Sequence, residues 1–357
     1  MKILIQYEVR KILIKPLAFV SIAAILFLSV LISFSTFQNS YAFDNQSNEG
    51  SGKEAIKINK AIAAKYEGVL TDKKVQQMIF DFKSADLHGL NAKYVYQNSF
   101  QSAVFSRFAD IDGNWNGLSV TDVFGEEEIK IGYIEGWLST SQNLSKILIF
   151  LSVVIILLIA PVFSGEYSGV DNIILTSKYG KTKCAVAKVI ASMLSAIIVT
   201  ILVVAVHLIT ARILYGAEGL DCSILFAPVS FVEGYISFNI TCMTVIKYQI
   251  LLSVMSAISV TGMTLIISAI CKNQIIALII SVAIYMIPIM LPVSETSFLY
   301  RLVVLMPLYY SQGISIMSVE QMPNGMLYAV WSIPVALVLL LISMIVSPRI
   351  FAKHQVS

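Results

Sequence analysis

Residues 16–43 carry no Asp, Glu, Lys or Arg, and their apolar part runs from about Leu17 to Phe37. Such a run constrains the chain more than any other feature, because a helix needs roughly 20 mostly apolar residues to cross a hydrocarbon core about 30 Å thick. The pattern recurs at 147–165, 189–211, 248–271, 273–294 and 321–348. Only His207 interrupts the third run, and the lone Lys272 separates the fourth from the fifth. Hydrophobic residues make up 57% of the chain and charged ones 13%, against about 45–50% and about 25% in a soluble domain. With a mean hydropathy of +0.79, the chain cannot cover itself with polar groups, so much of its solvent is lipid. Disordered chains, disulfide scaffolds and ordinary nucleic-acid binders are excluded. The reading is six transmembrane helices. A weaker charge-free stretch at 302–319, broken by Pro307, Gly313 and several serines, reads as re-entrant or interfacial.

Lys and Arg near span ends set orientation. The first fifteen residues hold Lys2, Arg10, Lys11 and Lys15 against Glu8. The connection after the second span holds Lys178, Lys181, Lys183 and Lys188 against Glu166 and Asp171, and the tail holds Arg349 and Lys353. Residues 44–146 contain 14 of the 22 acids. Both termini are therefore expected in the cytoplasm, with one large external domain after the first span. Ser40-Tyr41-Ala42 resembles a signal-peptide cleavage site, but the apolar run before it exceeds the 7–15 residues of a signal core, so the first span is retained.

The external domain is polar enough to fold in water. Ile58, Ile62, Tyr66 and Val69 suggest one amphipathic helix. Thr71 reads as the N-cap of a second, with Val75, Met78, Ile79 and Phe82 on one face. Tyr96, Phe100, Ala103 and Val104 suggest a third. The segment 110–117 has the acids of a calcium loop but places Trp115 where Gly is needed and Thr121 where Glu is needed, so it reads as a turn. Cys184 and Cys271 are expected as reduced thiols. Cys222 and Cys242 fall in one external connection, where a disulfide and two unpaired small apolar residues fit equally well.

No proposed span has a carboxylate, lysine or arginine at its centre, as ion-coupled transporters and voltage sensors do. His207 is the one ionisable group there, and it reads as a hydrogen-bonded helix contact. Gly180-Lys181-Thr182 ends like a phosphate-binding loop, yet Leu175 stands where the first glycine belongs. A chain like this needs an outside source of energy to move cargo.

The segment 163–183 (FSGEYSGVDNIILTSKYGKTK) is the most informative. Ser168 and Asp171 form a capping-box pattern, Val170, Ile173, Ile174 and Ser177 make one stripe, and Gly180 suits a helix end. The spacing predicts a helix of about three turns lying along the membrane surface. Glu166, Tyr167, Thr176, Gly180, Lys181 and Lys188 together resemble the second-to-third-span loop of type 2 ABC exporter permeases. Cys271-Lys272-Asn273 between close spans, and an interfacial helix at 1–15 with a partial stripe of Ile5, Val9 and Ile12, extend the likeness. The external domain lies outside it. The resemblance implies an all-α polytopic membrane protein. It would have an interfacial helix (1–15), a first span (16–43), a mainly helical external domain (44–146), a five-span membrane domain (147–348) with a coupling loop at 163–188, and a cytoplasmic tail (349–357).

It further implies a permease subunit in the bacterial plasma membrane that is not itself an enzyme. The partners would be two copies of a cytosolic ATPase, which carries the ATP and Mg, and a second permease, identical or homologous. Coupling to the ATPase would fall to Glu166, Tyr167, Ile173, Ile174, Lys178, Tyr179, Gly180 and Lys181, and the cargo would be a peptide, a lipid or a drug-like molecule. Two rivals are a sensor whose external domain binds a peptide, and a lipid-modifying enzyme built on Asp110, Asp112 and Glu126–Glu128.

Overall fold

The computed structural model describes residues 1–44, 48–83, 98–167, 180–227, 239–291, 293, 297–311 and 328–353. In chain order the elements used below are α1 (Lys2–Leu13), α2 (Pro16–Gln38), β1 (Tyr41–Phe43), β2 (Glu49–Ser51), α3 (Lys53–Tyr66), β3 (Gly68–Val69), α4 (Asp72–Lys83), α5 (Ser99–Phe108), α6 (Val120–Phe124) and β4 (Lys130–Ile131). They continue with α7 (Glu135–Ile159), α8 (Pro161–Ser164), α9 (Ala185–Tyr215), α10 (Cys242–Ile270), α11 (Gln274–Met290), α12 (Phe298–Val304), α13 (Pro307–Ser311) and α14 (Tyr328–Lys353). The chain divides into two compact units: Met1–Ser29 with Leu144–Val206 and Gln249–Ser357, and Val30–Asn143 with His207–Tyr248.

Among the described residues, five helical segments are long and apolar enough to cross a membrane: Pro16–Gln38, Glu135–Ser164, Thr182–Tyr215, Cys242–Ile270 and Val330–Lys353. The run read as a fifth span forms α11, of 17 residues, about 26 Å at 1.5 Å per residue. The first helix is also shorter than its charge-free run, which continues into the strand β1.

The burial pattern is that of helices in lipid. On α2, Phe19 and Phe27 are largely exposed, whereas Ser29 and Ser33 are buried. On α11, Ile275 and Ile279 face outward while Ala277 and Ser281 are buried. Small residues inside and large apolar ones outside let helices approach closely where the surrounding solvent is itself apolar.

In the first unit, Pro161 and Ser268 shape the end of the second candidate span. Proline has no N–H and breaks the ladder, leaving the amides of the short α8 without helical partners. Ser268 Oγ on α10 accepts from the N–H of Phe163 at 3.0 Å and of Ser164 at 3.1 Å. The same hydroxyl donates to the Ala160 carbonyl at 2.6 Å. Between α10 and α11 the tight turn is set by Asn273, whose side chain accepts from the N–H of Ile275 and Ile276.

The second unit is built around α3–α6, with the pairs β1–β2 and β3–β4 antiparallel. Thr71 caps α4 by accepting from Lys74 N–H at 3.3 Å, and Val75, Met78, Ile79 and Phe82 are all buried. On α5, Phe100, Ala103 and Val104 are buried, and Tyr96 lies outside the described residues. The face of α3 differs from expectation. Ala55, Ile56, Asn59, Ala63 and Tyr66 turn inward, while Ile58 and Ile62 are half-buried and Val69 stands exposed in β3. The helix turns that way because Tyr66 anchors the core, with its ring 5.7 Å from Phe82 and 6.1 Å from Phe100.

Ser268→Ala should remove three hydrogen bonds from a buried helix junction. The expected loss is about 1–3 kcal/mol, read as a lower melting temperature of the protein in detergent. An unchanged value would show that the α8 amides find other partners.

Candidate functional site

The site is a buried ionic cluster within the first unit. Lys188 enters it from the first turns of α9, about 9 Å from the start of the candidate span at Thr182, counting six residues at about 1.5 Å. Its ammonium lies 3.0 and 3.1 Å from the two Glu8 oxygens and 2.9 Å from Glu166 Oε1. Lys11 also donates to Glu166 Oε1. Lys188, Glu166 and Glu8 are 1%, 4% and 6% exposed, so these charges are met by one another rather than by water.

Local sequence explains how each group arrives. On α1, Ile12 and Glu8 are buried with Ile5 and Val9 half-buried, whereas Ile3, Tyr7 and Ile14 are exposed. Glu8 therefore lies within the apolar stripe, and Lys11 follows one turn later. Glu166 arrives because the chain turns sharply after Pro161. A Cβ on Gly165 would sit 2.6 Å from the Pro161 carbonyl oxygen, so the turn requires glycine. A π-helical turn, Gly180–Cys184, leads into α9 and so to Lys188.

Burial alone would raise the Glu166 carboxyl. The ammonium groups of Lys188 and Lys11 outweigh it and hold the group below the ordinary carboxylate value. Lys15, at the edge of the cluster, is pushed down by burial and by Lys11. Chemically the cluster is a tie between α1, the start of the loop and α9.

Tyr167 is bound within the same unit. Its hydroxyl donates to the Ala269 carbonyl at 2.7 Å, and its ring lies 5.8 Å from Phe351 on α14. Phe163 also meets the Phe351 ring, at 5.2 Å. Gly180 is buried at the start of the π-helical turn, and Lys181 follows it there. Ile173, Ile174, Lys178 and Tyr179 lie outside the described residues, as does the short helix expected around them. Sequence reasoning missed Glu8 and Lys11 as site residues. The available signal was an acid placed between Ile5, Val9 and Ile12.

Other candidate groups lie in the second unit. Cys222 and Cys242 are buried free thiols. They stand directly opposite each other beside the Ser223–Thr241 bridge, with Cys242 N–H donating to the Cys222 carbonyl at 3.0 Å. Burial pushes the Cys222 thiol up to about 11. Asp110 accepts from the N–H of Asp112 and Asn114 and so organises its own turn. His207 is buried, with Nε2 donating to the Thr140 carbonyl at 3.0 Å and Nδ1 3.2 Å from Ser33 Oγ. Among the described residues no three His, Cys, Asp or Glu side chains are grouped to hold a metal.

Comparison with protein-family models, curated proteins and solved structures finds no match to this chain.

The sign of the Glu166 shift fixes a pH dependence. A carboxyl held below its usual 4.5 stabilises the fold fully above that value and loses the contribution as pH falls through its folded value. The melting temperature of the parent protein should therefore exceed that of Glu166→Gln most clearly near neutral pH. The gap should narrow below about pH 4.5. A gap independent of pH would remove the charge from the explanation.

Proposed function

We propose that this chain is the membrane-spanning permease subunit of an ATP-driven ABC exporter in a bacterial plasma membrane. In this reading both termini are cytoplasmic, α11 completes a set of six spans, and the second unit is external. The chain is not itself an enzyme: ATP and Mg are bound by a separate cytosolic ATPase, present in two copies. A second permease, identical or homologous, completes the pathway for a peptide, lipid or drug-like cargo.

One observation supports this reading above others. Glu166 and Lys188, which mark the start of the loop and the start of the next span in the sequence resemblance, meet in a buried ion pair at 2.9 Å. The pair is completed by Glu8 from the N-terminal helix. A loop pushed by an ATPase would need such a tie to move α1 and α9 with it. Glu166 then works by fixing the loop to its own subunit. Contact with the ATPase falls to the residues around Ile173, Ile174, Lys178, Tyr179 and Lys181.

Gentle extraction of the tagged protein from its own host, followed by mass spectrometry, tests the proposal. The expected result is a stoichiometric ATPase with a phosphate-binding loop. A preparation free of any ATPase, or one holding a kinase instead, would reject the exporter reading in favour of a sensor.

A further inference from the structure

The second unit contains a cavity of about 190 Å³ lined by Tyr41, Asn59, Ser99, Tyr133, Glu135 and Tyr215 among others. Its walls come from separate elements. Asn59 lies on the inward face of α3, Ser99 opens α5, Glu135 opens α7 and Tyr215 closes α9. Water shares liquid volume at about 30 Å³ per molecule, so the space corresponds to roughly six waters. That is too large for a bare metal ion held by side chains and suits a small organic head group.

Among the described residues, Glu135 is the one carboxylate of the lining, which holds no lysine, arginine or histidine. Glu135 accepts from Asn59 Nδ2 and from Ser99 Oγ. No lysine, arginine or histidine among the described residues pairs with its carboxylate. Asn59 is 7% exposed, and with its amide nitrogen committed to Glu135, its Oδ1 has no hydrogen-bond partner. A buried amide oxygen without a donor costs free energy until one arrives. Lys60, next in sequence to Asn59, does not supply it. Lys60 pairs with Glu218 at 2.8 Å and rests 5.4 Å from the centre of the Tyr133 ring. That contact also shows the ring face already drawing an ammonium group.

We propose that this cavity binds a primary alkylammonium group. Glu135 supplies the counter-charge, Asn59 Oδ1 accepts one N–H, and the tyrosine rings enclose the alkyl carbon next to the nitrogen. The unfilled amide oxygen separates this ligand from a quaternary ammonium, which has charge but no N–H to give. A free small amine and the side chain of a lysine in a basic peptide share this chemistry. The site stands on the geometry of the second unit alone and does not rest on the exporter reading.

The test uses the full-length protein in detergent, titrated calorimetrically with n-butylammonium chloride, n-butanol, tetramethylammonium chloride and a capped lysine amide. Saturable binding of butylammonium is expected, with n-butanol and tetramethylammonium at least about tenfold weaker. Tighter binding of the lysine amide would identify a peptide as the source, and tighter binding of butylammonium a free amine. Glu135→Gln, which keeps the shape and the acceptor oxygen, should weaken butylammonium about tenfold or more. Equal binding of butylammonium and n-butanol, equal binding of tetramethylammonium, or no saturable binding would each overturn the proposal. The ligand comparison on the unaltered protein decides the matter even if the variant fails to fold.

Discussion

A lysine buried in the first turns of an apolar helix cannot remain charged without an anion beside it, and the arrangement of the first unit follows from that need. Lys188 is met by Glu8 and Glu166, and the second of these is shared with Lys11. Two acids against two lysines leave the cluster neutral. Removing one member strands a buried charge at a cost of about 3–5 kcal/mol, far more than a surface pair contributes. α1 is therefore held by its acid as well as by its apolar stripe, and the chain after Pro161 is held by Glu166. An ionic tie of this kind gives a unique arrangement where greasy contacts alone would permit sliding.

Elsewhere in the membrane-embedded helices, the polar groups have a quieter part. Ser192, Thr200 and Ser281 are buried and donate to the carbonyl four residues earlier, at 2.8, 2.8 and 2.7 Å. Each hydroxyl satisfies itself within its own helix, so its burial carries little penalty and its small size allows close packing. Ser268 instead reaches across, because Pro161 has left another helix with unpaired groups. Small residues thus let the helices approach closely, and a few polar ones reach between them.

Five of the six apolar runs were legible as long apolar helices because length and lack of charge favour them, whereas 273–294 yields a helix of only 17 residues; α4 was legible from its cap and four-residue stripe. The apolar part of the first run was placed as ending near Phe37, one residue before α2 does, although the lack of charge continues past Gln38 into residues that pair as a strand. The face of α3 was read in part: Tyr66 was expected there and is buried, while the tertiary core takes Ile56 and Asn59 in place of the aliphatic spacing's Ile58 and Ile62. In the site, Glu166 and Lys188 stood out through the resemblance, yet nothing local reveals that they meet. Glu8 was visible as an acid within an apolar stripe, but its partner lies 180 positions away. Joining 207–248 to 30–143 in one unit likewise depends on contacts such as Arg107 to the carbonyls of Leu225 and Ala227.

The most direct test of the cluster as a single unit compares melting temperatures of Lys188→Met, Glu8→Gln and Glu166→Gln with that of the variant carrying all three. Each single change is expected to destabilise by leaving a charge unmatched, and the triple variant to regain most of the loss because the one charge it leaves without a partner, Lys11, is half-exposed to water. Losses that simply add, with the triple variant the least stable, would contradict the account and make the three residues independent contributors.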